Sequence, residues 1–82
     1  MKILYFAKLR HCIGKNSEII KIKDKKRISE IIEDLKKKDD NYMEAFNNVK
    51  NLQYAVNCEY VNEERVVKDK DELAIFPPVT GG

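Results

Sequence analysis

An α+β fold, one mixed sheet of about five strands with one main helix packed on one face, is what this 82-residue sequence predicts. Three observations carry it. Residues 2–7 and 72–76 have the composition of strands. Between them, Ile28, Ile31, Ile32 and Leu35 change the apolar period to that of a helix. The order strand, strand, helix, strand, short strand, strand then fits a single sheet layer under one helix. A chain of this length builds one domain with one small core and has no room for a cleft between domains, so it is expected to act with a partner.

The first strand, Lys2 to Ala7, is apolar at odd and even positions alike, which predicts cover on both faces and a central place in the sheet. Lys8 to Lys15 carries Leu9 and Ile13 at helical spacing and ends near Gly14, which predicts one helical turn and a tight reversal. Ser17 to Lys23, with Ile20 and Ile22 at strand spacing, is the expected hairpin partner of the first strand. In the helix from Ile28, Glu30, Glu33 and Asp34 come early and Lys36, Lys37 and Lys38 late, the order that suits the helix dipole. Burial of its four branched aliphatic side chains contributes about 6–12 kcal/mol gross, most of it offset by chain entropy.

Asp39, Asp40 and Asn41 break that pattern, and Tyr42, Met43 and Phe46 predict a second short helical piece closing one end of the core. Leu52 to Val61 reads as the third strand, with Tyr54 and Val56 on one face, Gln53 and Ala55 on the other, and a turn at Asn57. Arg65 to Val67 is a short fourth strand, Lys68 to Asp71 a polar turn, and Glu72 to Phe76 the last strand. If the first and last strands pair centrally, Ile3, Tyr5, Leu73 and Ile75 face the helix, while Leu4, Phe6, Ala74 and Phe76 point away. No element of the chain remains to cover that second face, so it is a candidate docking surface.

Sixteen Lys and Arg against 14 Asp and Glu leave a net charge of +2, a mixed surface rather than the basic field of a nucleic-acid binder. Lys36, Lys37 and Lys38 are flanked by acids on both sides and read as a solvated helix face. No apolar run approaches the ~20 residues of a membrane span, and Met1 and Lys2 lead into a strand pattern rather than a secretory segment, so a cytoplasmic protein with no membrane role is expected. Cys12 and Cys58 are too few for a disulfide scaffold or a metal set, and His11, beside Arg10 and Cys12, has no triad around it.

The chain stops at Phe76, Pro77, Pro78, Val79, Thr80, Gly81 and Gly82. Terminal glycines bury nothing and have the most conformational freedom to lose, so they are poor structure. They make a good thread, able to pass a narrow channel and present a carboxylate to another protein's active site. Residues 77–82 can reach about 20 Å when extended, and the two prolines limit the stem's unbound conformations. Thr80 can offer a hydroxyl to a groove.

Leu4 to Arg10 with Gly14, then Ala55, Val56 and Asn57, then Asp71 to Gly82 together carry a resemblance that spans the chain. It resembles the ubiquitin-like β-grasp sulfur carriers, and the ending Phe-Pro-Pro-Val-Thr-Gly-Gly is similar to their molybdopterin synthase small-subunit branch. The resemblance implies a β-grasp domain over residues 1–76 and a flexible tail over 77–82. It implies that an E1-like adenylating enzyme activates the Gly82 carboxylate with ATP, and that a sulfur donor such as a cysteine desulfurase or rhodanese converts it to a thiocarboxylate. It implies that sulfur then passes to cyclic pyranopterin monophosphate in the molybdopterin synthase large subunit, within a heterotetramer, during molybdenum cofactor biosynthesis. On this reading the chain is no enzyme alone and binds no cofactor or metal. Pro77, Pro78, Val79, Thr80 and Gly81 thread into the partner, and Phe6, Tyr60 and Phe76 grip it. Tyr60 is an aromatic variant of a usually aliphatic position. Lys70 stands where the family often has Gly, and Arg27 where a Thr or Ser helix cap is common, which puts the local geometry at both places in question. Competing expectations are a ubiquitin-like protein modifier, a thiamine-type sulfur carrier and, weakest, a small nucleic-acid-binding domain.

Overall fold

The alternation in the first and last strands sorts their side chains between a helix-covered face and an open one. The computed structural model describes residues 1–78. Along the chain run β1 (Lys2–Tyr5), α1 (Ala7–Ile13), β2 (Ser17–Ile19), β3 (Lys26–Arg27), α2 (Ile28–Lys38), α3 (Asp40–Asn48), β4 (Gln53–Val56), β5 (Glu59–Val61), β6 (Val66–Val67) and β7 (Glu72–Phe76). Five strands form one sheet in the order β2-β1-β7-β4-β5. β1 and β7 are parallel, and every other pair in that sheet is antiparallel. Ile3 lies opposite Leu73 and Tyr5 opposite Ile75, and all four are buried with Ile28, Ile31, Ile32 and Leu35 of α2. The predicted fold class and core face are therefore as read.

Several elements differ from expectation. β1 ends at Tyr5 because Phe6, still extended, caps α1, and Ala7 turns the chain with φ 51°. α1 is two turns rather than one, closed by Gly14 at φ 88°, a left-handed position that suits glycine. β2 stops at Ile19, which is 79% exposed. Past the strand, Ile22 is buried while its N–H donates to the Asp69 carboxylate at 2.9 Å, which takes this segment out of the ladder.

Residues 52–61 are a hairpin, not one strand. Asn57 and Cys58 both have positive φ, 50° and 70°, as a two-residue primed turn requires. The short strand over 65–67 contracts to β6, which leaves the main sheet and pairs antiparallel with β3 as a separate two-stranded ribbon. α3 is a full helix whose first turn is capped by the Asp39 carboxylate, which accepts the Asn41 N–H at 3.0 Å. Its buried side chains, Tyr42, Ala45 and Phe46, follow helical spacing. Met43 falls off that stripe and is 42% exposed, so it is not part of the core closure.

Candidate functional site

The face of the sheet turned away from the helices holds the candidate docking site. Register places Leu4 beside Ala74, Ala74 beside Ala55, and Ala55 beside Tyr60, in one row across β1, β7, β4 and β5. The two alanines make the middle of the row low, and large rings stand around it. Phe6, the cap of α1, meets Phe76 edge-to-face with ring centroids 6.5 Å apart. Tyr60 meets the same Phe76 ring at 5.8 Å, also edge-to-face. With Ala7, Ala74, Pro77 and Pro78, these rings bound an open depression of about 640 Å³. Phe6 is 42% exposed and Tyr60 78% exposed, although both are large and apolar in body.

This face bears on two readings. β1 was expected to be covered on both faces. In fact Leu4 is only half-buried, and no element among the described residues covers Phe6. The three predicted gripping residues do come together, from the β1–α1 junction, β5 and the end of β7. Pro77 and Pro78, half-buried, continue from the central strand through the same cluster. The readings on Val79, Thr80, Gly81 and Gly82 lie outside the described residues. Ala7 was missed as a lining residue, since an alanine between Phe6 and Lys8 carries no pattern of its own.

A polar cluster braces the sheet from the other side. The Tyr5 and Tyr42 hydroxyls each donate to Glu18 Oε2 at 2.6 Å, and the Lys38 and Lys15 ammonium groups lie 3.4 and 3.7 Å from Oε1. Burial pushes the Glu18 carboxyl up. The hydrogen bonds from Tyr42 and Tyr5, with the charges of Lys15 and Lys38, outweigh burial and hold it below its ordinary value. Burial, reinforced by Glu18, raises the Tyr5 phenol far above its usual range, so it remains a donor. Nothing in the sequence marks this cluster, because its members lie 13 and 24 positions apart.

Both departures from the family pattern are accommodated. Arg27 has no side-chain acceptor to cap α2. Instead the Ile28 and Ser29 N–H groups donate to the Arg65 and Glu63 carbonyls at 3.1 and 3.0 Å, and the Arg27 N–H donates to the Glu30 carboxylate at 3.0 Å. At Lys70, the turn closes through the Asp71 N–H to the Lys68 carbonyl at 3.0 Å and the Lys68 N–H to the Asp71 carboxylate at 2.8 Å. Lys70 is not among the positive-φ residues, so glycine is not required there. Cys12 packs half-buried against the core, Cys58 is exposed in the β4–β5 turn, and His11 is exposed on α1. Lys36 pairs with Glu33 along α2, and Lys37 is exposed, as on a solvated helix face, whereas Lys38 reaches the Glu18 cluster on β2. Among the described residues no helix is long and apolar enough to cross a membrane.

The chain is 37% identical, over 83 residues, to the molybdopterin synthase sulfur carrier subunit of Haemophilus influenzae, covering 100% of this chain and 99% of that one. A solved structure from Pyrococcus furiosus, described provisionally as molybdopterin converting factor subunit 1, superposes with TM-score 0.75 at 31% identity over 95% of each chain. It supports the ubiquitin-like β-grasp assignment. The fold also matches, with TM-score 0.64 and 24% identity over 99% of this chain and 96% of the other, a chain in a Helicobacter pylori complex of subunits 1 and 2 of molybdopterin-converting factor. The ThiS family pattern matches residues 3–82, nearly the whole sequence, and on that match the chain belongs to the ThiS family.

Proposed function

We propose that this chain is the sulfur carrier subunit of a molybdopterin synthase and that the Gly82 carboxylate is its reacting group. One observation carries the reading: the strand that leads to Gly81 and Gly82 ends inside the uncovered cluster of Phe6, Tyr60 and Phe76. A partner that covers those rings receives the tail in the same act. The full-length similarity to a sulfur carrier subunit supports the reading, as does the fold shared with a subunit that pairs with a larger one.

A carboxylate is a poor electrophile until one oxygen becomes a good leaving group. An E1-like enzyme supplies that by letting the Gly82 carboxylate attack the α-phosphate of ATP, with release of pyrophosphate. Hydrosulfide, freed from the donor's persulfide by a thiol that is oxidised to a disulfide, then displaces AMP, and the resulting thiocarboxylate brings its sulfur to cyclic pyranopterin monophosphate in the large subunit. Hydrolysis of the spent acyl group returns the carboxylate. The carrier contributes reach, an apolar grip and a terminus without Cβ atoms, and the chemistry of activation belongs to its partners.

The test is the intact mass of the chain after incubation with the activating enzyme, ATP and a sulfur donor, with fragmentation of the C-terminal peptide. Replacement of one oxygen by sulfur at Gly82, followed by conversion of the pterin by the large subunit, is expected. Gly82 joined to lysine side chains would instead make the chain a modifier, and an unchanged mass would overturn the reading. Deleting Gly82, or adding one residue after it, should abolish transfer while the circular dichroism spectrum stays unchanged. Normal transfer by either variant would exclude the terminal carboxylate.

A further inference from the structure

The apolar face has a rim of one charge where it meets α1. Ala7 lines the depression, and Arg10, three positions on, leaves the helix along the same stripe. The Arg10 N–H donates to the Phe6 carbonyl at 3.2 Å, which fixes the guanidinium-bearing turn one step from the Phe6 ring. Lys8 and His11 are exposed elsewhere on α1, and the helix contains no Asp or Glu. Among the described residues, neither Arg10 nor Lys8 makes an ion pair, whereas Lys15, Lys26, Arg27, Lys36, Lys38 and Arg65 each face a carboxylate. Arg10, one turn from the docking face, is thus among the cations that no carboxylate engages among the described residues.

Edge-to-face rings hold an apolar partner firmly but do little to fix rotation about the axis of contact. A tail that must enter a channel needs that rotation fixed, and a charge set to one side of the apolar centre does so. A guanidinium does it better than an ammonium, because its planar fork takes a carboxylate in two parallel hydrogen bonds. We propose that Arg10 is the orienting contact of this face, received by a carboxylate on the protein surface that covers Phe6, Tyr60 and Phe76. This rests on the docking role given to those rings above, and it describes the partner's footprint as an apolar patch with an acidic group on the side of α1.

The experiment is a calorimetric titration of the full chain with the purified large subunit at low and moderate salt. Arg10→Glu should weaken binding by about tenfold or more and flatten its salt dependence, and Arg10→Lys should fall between it and the unaltered chain. Lys37→Glu makes the same charge change on α2, across the sheet, and should stay within about twofold. Thermal melts of all three variants should match, since both positions are exposed. Equal affinities for Arg10→Glu and Lys37→Glu would overturn the proposal. Phe76→Asp separates the two readings. If it abolishes binding while Arg10→Glu does nothing, only the orienting role fails. If it binds normally, the docking face itself is wrong.

Discussion

The ring of Phe76, at the end of the central strand, stands at 69° to the ring of Tyr60 on the edge strand, with centroids 5.8 Å apart. The contact bridges β4, whose Ala55 and Gln53 lie between the two strands in register. One aromatic edge thus ties the root of the tail to the margin of the sheet across a low floor of small residues, and it leaves the Tyr60 ring almost wholly in solvent.

Truncation of Tyr60 should therefore separate binding from stability. Tyr60→Ala is expected to change the unfolding free energy by under about 1 kcal/mol, since the ring buries little in the free chain. Affinity for the large subunit should fall about tenfold, the effect of truncating an aromatic contact that a partner buries. Chemical denaturation and calorimetry on the same preparation check both, and a large stability loss with unchanged affinity would make Tyr60 a structural residue only.

Acid should act through Glu18. Its carboxyl titrates below the ordinary value in the folded chain, so its stabilisation is whole above the unfolded-state pKa and is lost as pH falls through the lowered folded value. Melts taken between about pH 7 and pH 3 should show stability declining toward the acid end, with a shallower decline in Glu18→Gln. At neutral pH, Glu18→Ala should cost about 1–3 kcal/mol, because it leaves the buried Tyr5 hydroxyl without its acceptor. An identical pH profile in Glu18→Gln would remove this group from the acid response.

The turn at Ala7 should tolerate one substitution and resist another. At φ 51°, a β-branched side chain meets the backbone, so Ala7→Val is expected to destabilise by about 1–2 kcal/mol. Ala7→Gly should be near neutral, since relief at the left-handed position offsets the lower helix propensity of glycine. Urea unfolding of the pair decides it, and equal stability of the two variants would show that the turn carries no strain.

Legibility in the sequence followed the range of the interactions. Ile3, Tyr5, Leu73 and Ile75 declared their face because a two-residue period is a local signal, and the α2 stripe did so through its helical one. Of the β3–β6 ribbon only the strand near 65–67 was legible; its partner β3 and their pairing were not, since β3 has two residues and meets β6 across roughly 40 positions of sequence. Asn57 was readable as a turn, but Cys58 at φ 70° was not, because cysteine has no general liking for that conformation. Met43 was misplaced because it is apolar and adjoins Tyr42, and one position on a helix is a rotation of about 100°. At the docking site the rings were legible as apolar residues with nothing to cover them. The Glu18 brace behind them was not, because it depends on β1, β2, α2 and α3 meeting.

The parallel seam between β1 and β7 has a consequence for how the chain comes into being. Without β7 the main sheet falls into two hairpins, β2 with β1 and β4 with β5, each too small to stand alone in water. The last strand made is the keystone, and the arm grows directly from it. A chain cut or stalled before residue 72 has no sheet to close over its core and is exposed to proteases, so folding itself acts as an inspection step. Only a chain that includes β7 completes the sheet, so the strand and the fold are tested together.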